Sequence, residues 1–371
     1  MRYFSEIIPL FEASHYLSQR LSDVRTGAFI HNLEQSGTNI SNERWTYFKR
    51  IVSLESELDE IIRPDTIIER YFTPLKTKAS QLSGMPLSIG SVLLAMPPEL
   101  ERPFTYDSLI DYHRNASERA RLDQFYERLF PFFSDKREAD TTMSGFVAAL
   151  SDVLVETEDK WAVIDCASNP CEHLETLRPL VMKTMALIEE KALAISDFIS
   201  AEMEDFCTPE NLEKRLRFFY NSSITMENLS RAELYPSIFD FNGICHVAMN
   251  DSPSSFCRII IGLYLNSLYI LRTDEKDPSN HVKLLKLLSD PTRFSILHEL
   301  CDRRSFGQEL ADKYGGARSA MYYHLEKLFG MGLLDMEMTE YRNLYTMNKQ
   351  AVYEKMTAMR DYLVNGWKPE E

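Results

Sequence analysis

The stretch GGARSAMYYHLEKL, from Gly315 to Leu328, concentrates a guanidinium, hydroxyls, phenols and an ammonium within one short segment. If it is helical, residues set at 100° intervals gather Met321, Leu325 and Leu328 on one side and Ser319, Tyr322, Tyr323 and Glu326 roughly opposite. A face of short hydroxylic and aromatic tips can enter a DNA major groove and hydrogen-bond base edges. Arg318 at the helix start reaches guanine or a phosphate, and Lys327 and Arg342 fall where phosphate contacts would form. The plainer alternative is a surface helix with solvated tyrosines.

Other chemistry is not assembled by spacing. Cys166, Cys171 and His173 have the look of a metal half-site, but Pro170 interrupts them and no second pair follows, so they read as core or loop residues. His15, His31, His113 and His246 have no carboxylate and nucleophile pattern beside them, and SIGSVLLAMP lacks a phosphate-cradling glycine spacing. The sequence therefore supports no catalytic residue, no metal site and no cofactor, and the expectation is a protein that is not an enzyme. Aromatic clusters such as Tyr71-Phe72, Phe125-Tyr126 and Phe218-Phe219-Tyr220 suit either an apolar ligand pocket or an ordinary core.

These candidates sit in a chain of 371 residues, long enough for two domains with real cores. No apolar run approaches the roughly 18 residues of a membrane span, so no membrane association is expected. Glu6, Pro9 and Glu12 break the N-terminal apolar run that a signal peptide needs. Six cysteines scattered along the chain read as reduced thiols, and a cytoplasmic location is expected.

The net charge of −15 opposes nucleic-acid binding by the chain as a whole. The average hides a split. Residues 281–350 carry ten Lys and Arg against nine Asp and Glu, net +1, leaving 31 against 47 on everything else.

Up to about Ser230 the periodicity is helical. ERWTYFKRIVSLESELDEII spaces Trp45, Phe48, Ile51, Leu54, Leu58 and Ile61 by threes and fours, and a long helix-forming stretch runs from Cys171 to Phe206. Near Leu234 the character changes. LYPSIFDF, GICHVAM and FCRIIIGLYLNSLYILRT, separated by turn residues, predict a small antiparallel sheet near 234–272. The polar DEKDPSN then marks a domain boundary, giving an N-terminal domain over 1–275 and a second over 276–371.

Beyond it, HVKLLKLL predicts a short amphipathic helix, and Asp290-Pro291 an N-cap and first helical residue opening a second one. Ser305 to Gln308 reads as a capping box for a third helix ending at Tyr314, and Gly315-Gly316 as a tight turn before the stretch described first. LLDMEM and NLYTM predict two strands around a turn. A final helix spaces Val352, Met356, Met359 and Leu363 by four, three and four, a seam used between subunits.

LLKLLSDPTRFSILHEL, FGQELADKYGGARSAMYYHLEKLFGMGLL and EYRNLYTMN together resemble, in order and nearly in spacing, the winged helix-turn-helix of ArsR-type bacterial transcriptional regulators. The resemblance covers about 70 of 371 residues. It implies a homodimer reading a two-fold related operator in double-stranded DNA, with Arg318, Ser319, Tyr322 and Tyr323 at the recognition positions. The cysteine pair of the metal-sensing members is missing from RSFGQEL. In the wing, Asp335, Glu337 and Glu340 accompany Arg342, which predicts weak phosphate contacts there.

The sequence thus predicts a mainly α (α+β) protein: a helical N-terminal domain with a small antiparallel sheet, then a winged helix. The expected function is a DNA-binding transcriptional regulator whose N-terminal domain responds to a small-molecule or protein effector or sets dimer geometry. Two alternatives remain, a winged helix repurposed to bind protein and an enzyme whose groups assemble from distant residues.

Overall fold

The computed structural model describes residues 2–22, 25–35, 40–76, 87–97, 99–129, 142–220, 232–248, 257–273, 278–314, 318–338 and 343–365. The chain is mainly helical with small sheets, and among the described residues no helix is long and apolar enough to cross a membrane. It divides into two compact units. The first is Met1–Asp205 with Asn228–Leu265, and the second is Phe206–Glu227 with Asn266–Glu371. The sequence drew one boundary between 275 and 276; the compact division falls ten residues earlier and adds the segment Phe206–Glu227 to the second unit.

In the first unit the centre is α1 (Pro9–Gln19), in which every residue from Leu10 to Gln19 is buried. A helix buried on all sides must satisfy its polar side chains internally. The Ser18 hydroxyl donates to Ser14 O, and His15 Nδ1 donates to Phe11 O. Gln19 Nε2 donates to Phe239 O while its Oε1 accepts from the backbone and hydroxyl of Thr26, which begins α2 (Thr26–Gln35). The carboxylate of Glu12 accepts from Ile238 N at 3.1 Å and Phe239 N at 2.9 Å.

Around it lie α3 (Asn42–Ile61), α4 (Thr66–Phe72), α5 (Ile89–Leu93), α6 (Tyr106–Asn115), α7 (Glu118–Leu129), α8 (Met143–Val153), α9 (Thr157–Ser168), α10 (Pro170–Ala192) and α11 (Ser196–Phe206). The stripe expected along α3 buries Phe48, Ile51, Leu54 and Leu58, whereas Ile61 at its end is exposed. The long stretch from Cys171 becomes α10, a single turn of tighter helix over Leu193–Ile195, and α11. Aromatic residues fill the core: Phe48 meets Phe198, Phe241 and Tyr264, and Phe241 stacks on Tyr264 at 5.6 Å.

The sheet of this unit corrects the expectation of an antiparallel arrangement. Its order is β1 (Arg2–Tyr3), β2 (Glu233–Ser237), β4 (Cys257–Gly262), β3 (Ile244–Ala248). Pairing of β1 with β2 and of β2 with β4 is parallel; only β3 and β4 run antiparallel, Ile244 opposite Ile261. The cause is the turn after β2. Gly243 N donates to Asp240 O, Gly262 N to Gly243 O and Tyr264 N to Phe241 O, so the turn lies across the end of β4 and sends β3 down its far edge. Gly262 is required there, since a Cβ would stand 2.2 Å from Asp240 O and 2.4 Å from Phe241 O. Ile259, Ile260 and Ile261 are consecutive and all buried, the mark of an inner strand covered on both faces.

The segment after β4 is the helix α13 (Leu265–Thr273), not a continuation of the sheet. Leu265, Leu268 and Tyr269 recur at helical spacing, which a short apolar run conceals. In the second unit α12 (Pro209–Tyr220) accompanies it, with the Arg215 guanidinium 5.6 Å from the ring centres of Tyr269 and Phe206.

Burial pushes the carboxyl of Glu12 up to about 7, against the opposing pull of the Phe239 amide, the Ser237 hydroxyl and the Ile238 amide. Between the ordinary 4.5 and about 7 the folded chain keeps a proton that the unfolded chain has released. The contribution of Glu12 is therefore full below pH 4.5 and is lost as pH rises through about 7, a swing of about 3 kcal/mol. Urea unfolding at pH 5 and pH 8 should show wild type losing stability across this window and Glu12→Gln losing markedly less; equal slopes would refute the assignment.

Candidate nucleic-acid interface

The second unit places the stretch that carries the candidate chemistry through a series of capped helices. First is α14 (Pro278–Leu288), which buries Leu284 and Leu287. Its last carbonyls have no partners within the helix, and Arg293 from the next element supplies them: Nε donates to Leu287 O at 2.7 Å and Nη2 to Lys286 O. Arg293 belongs to α15 (Pro291–Asp302), capped as expected by Asp290, whose carboxylate accepts from Arg293 N at 2.9 Å. Capping and the nearby Arg293 charge hold the Asp290 carboxyl below the usual range. Asp290 and Arg293 thus lock the angle between α14 and α15 at both sides of the joint.

The expected capping box at Ser305 and Gln308 is displaced by one residue. Ser305–Phe306 is a short strand, β5, paired antiparallel with Tyr345 and Leu344 of β7 (Asn343–Met347). That pairing holds both residues extended, so α16 (Gly307–Tyr314) begins later. Glu309 then takes the role given to Gln308: its Oε2 accepts from the Ser305 hydroxyl and from Phe306 N, while Gln308 turns to Asp312. At the other end Tyr314 donates its hydroxyl to Ser295 O, tying α16 to α15. The Gly315-Gly316 turn lies outside the described residues.

The stretch itself is α17 (Arg318–Gly330). Met321, Leu325 and Leu328 are buried, as the helical spacing predicts, in a cluster with Ile296, Leu297 and Leu300 of α15 and Leu310 of α16. This cluster fixes the rotation of α17 about its own axis. Tyr323 then projects outward, 47 % exposed, with Lys327 Nζ 5.3 Å from its ring centre. Ser319, Tyr323 and Lys327 succeed one another at four-residue intervals, which puts them on one strip of the helix. Arg318, Ser319 and Tyr322 belong to α17, and their side chains lie outside the described residues, as does the whole of Arg342. His324, half-buried, comes within 3.9 Å of Asp290 Oδ1, a pairing between α17 and the α15 cap that no spacing rule reveals.

Beyond α17 the chain forms β6 (Leu334–Met338), antiparallel to β7 with Leu334 opposite Met347. The turn at 339–342 lies outside the described residues. Asp335, one of the acidic residues of this hairpin, has a structural role. Its Oδ1 accepts from Asn348 Nδ2 at 2.9 Å, and Asn348 in turn accepts from Ala351 N to cap α18 (Lys349–Val364). That carboxylate is committed to holding a helix start.

No residue of α18 is fully buried within the chain. Val352 packs at the edge of the cluster described above, Met356 and Met359 are half-buried, and Leu363 is 68 % exposed. The Tyr362 ring lies 5.0 Å from that of His281 on α14, so one side of the helix rests on α14, while Leu363 at the end of the apolar seam stays exposed.

In the first unit the residues with metal-like spacing are otherwise engaged. Tyr71 on α4 and Asp165 at the end of α9 meet His173 on α10, with Tyr71 Oη 2.7 Å from Nδ1 and Asp165 Oδ2 3.2 Å from Nε2. Both ring nitrogens of His173 are thereby used, and Cys171 Sγ lies 3.9 Å from Ile110 O. Sequence reasoning missed this relay because Tyr71 stands 102 positions from His173.

Comparison with protein-family models, with characterised proteins and with solved structures finds no match to this chain.

Asp290 is the joint on which the strip depends. Asp290→Ala should lower the stability of the second unit by about 1 kcal/mol, the usual effect of removing an N-cap acceptor, read from urea unfolding followed by near-UV circular dichroism. A variant as stable as wild type would mean that the cap is not needed to hold α15.

Proposed function

We propose that residues 266–371 contain a winged helix similar to that of ArsR-type regulators, and that the chain is a cytoplasmic, homodimeric DNA-binding transcriptional regulator. In this reading α17 enters the major groove of double-stranded DNA. Arg318, Ser319, Tyr322 and Tyr323 address base edges, and Lys327 and Arg342 address phosphates. The observation that carries the proposal is the orientation of α17: an apolar side anchored by Met321, Leu325 and Leu328, and an outward strip bearing Tyr323 and Lys327. The residues surrounding it are nearly neutral, net +1 over 281–350, so the strip is not opposed by the acidic average of the chain.

The dimer is proposed to form along α18 through Val352, Met356, Met359 and Leu363, which have the seam spacing and none of which is fully buried within the chain. A two-fold axis there would give the dimer two copies of α17, one for each half-site of an operator. The role is one of binding, with no catalytic step, and the first unit supplies the effector response.

Selecting fragments of the host's genomic DNA with wild type and with a Ser319→Ala, Tyr322→Ala, Tyr323→Ala variant tests the recognition strip. The variant should lose the selected sequences while keeping salt-dependent nonspecific binding, and Lys327→Gln, which removes one phosphate contact from each protomer of the dimer, should reduce the slope of log affinity against log salt by about 1.8. Recovery of the same fragments with equal affinity by the triple variant would refute the assignment. For the dimer, Met356→Glu with Met359→Glu should give monomers by sedimentation equilibrium; an unchanged mass would place the seam elsewhere.

A further inference from the structure

Lys327, on the outward strip of α17, carries its charge at the end of a flexible stem, and ordering such a side chain against a phosphate costs affinity. A helix commonly orders a lysine with a carboxylate three or four residues away. The positions at that spacing from Lys327 are Tyr323, His324, Gly330 and Met331, so no acid on α17 has that place. The neighbour is an aromatic ring instead. Lys327 Nζ lies 5.3 Å from the ring centre of Tyr323, within the range at which the negative face of a phenol attracts a cation. The ring is itself held. That of His324 stands 5.9 Å from it, edge to face at an interplanar angle of 66°, and His324 Nδ1 comes within 3.9 Å of Asp290 Oδ1 at the cap of α15. The series Asp290, His324, Tyr323, Lys327 thus runs from a helix cap inside the fold to an ammonium in solvent.

We propose that Tyr323 is a positioning residue for Lys327: the face of its ring holds the ammonium ready for a DNA phosphate and leaves the hydroxyl for base edges. This inference rests on the DNA-binding reading of α17. An ammonium has three donors, so one held on a ring face still presents outward N–H groups to a phosphate oxygen. The two parts of the tyrosine side chain then have different consequences. Phosphates carry no sequence information, so the ring acts on affinity for any duplex, whereas the hydroxyl acts on the choice of sequence. Tyr323 and Lys327 are both exposed, so the ring can be changed without opening the cluster that holds Met321, Leu325 and Leu328.

The test measures binding of the full chain to a random-sequence DNA duplex at fixed low salt, with the melting temperature of each variant beside it. Tyr323→Phe keeps the ring and should bind as wild type does. Tyr323→Leu should bind more weakly by about three-fold per protomer, and so about ten-fold for the dimer, the size of the attraction between a cation and an exposed ring. In a Lys327→Gln background the same change should have no further effect, because the ring acts only through the ammonium. All variants should melt at the wild-type temperature, as surface changes do. An equal loss from Tyr323→Leu in both backgrounds, a loss in Tyr323→Phe as large as in Tyr323→Leu, or wild-type binding by Tyr323→Leu would each overturn the proposal. So would a Tyr323→Leu chain that melts well below wild type, since the ring would then have a structural role. These outcomes leave the DNA-binding reading standing; absence of salt-dependent binding by wild type would overturn that reading and this proposal together.

Discussion

The carboxylate of Glu12 is buried in the first turn of a helix that is itself buried on every side, and it holds the backbone amides of Ile238 and Phe239. This one contact joins residues 226 positions apart and decides where β2 ends. Gln19, two turns further along the same face, takes Phe239 O and reaches Thr26, so the start of α2 is fixed by the same segment. With the turn held, β3 must pass to the outer edge of β4, and β2 is left open for β1 to pair in parallel. The sheet of the first unit is in this sense a consequence of the polar side chains of α1.

In the second unit the equivalent constraint is the joint at Asp290 and Arg293. One side chain caps the helix that follows, and the other serves the carbonyls of the helix that precedes, so α14 and α15 keep a fixed angle. The cluster of Ile296, Leu297, Leu300, Leu310, Met321, Leu325 and Leu328 then sets the rotation of α17. The outward position of Tyr323 and Lys327 follows from that rotation, and His324 meeting Asp290 returns the end of the chain of contacts to its beginning. Paired polar groups fix the hinges of both units, and apolar clusters fix the faces.

Where a side chain acts within one or two turns, it was legible beforehand. The buried side of α17, the cap at Asp290 and the stripe of α3 all depend on 3.6-residue spacing and nearest neighbours. The capping box at Ser305 failed by one residue because pairing with β7, forty positions later, holds Ser305 and Phe306 extended. The expected antiparallel sheet failed for the same kind of reason. Alternation marks a strand but does not say which edge its neighbour occupies, and the turn at Asp240 to Gly243 decided that through contacts with β4.

Composition and periodicity by themselves determined that the chain is mainly helical, that a near-neutral C-terminal segment follows an acidic N-terminal one, and that α17 has one apolar and one polar side. These are properties of local spacing and of charge counts, which need no fold. Only the tertiary structure decided the strand order of the sheet, the structural engagement of Asp335, the contacts of His173 with Asp165 and Tyr71, and the burial of His113 and Gln124. Each of these depends on which distant groups the packed chain brings together or encloses. Burial converts an ordinary histidine or carboxylate into a group that must find a partner, and burial is a property of the packed chain, not of any stretch of it.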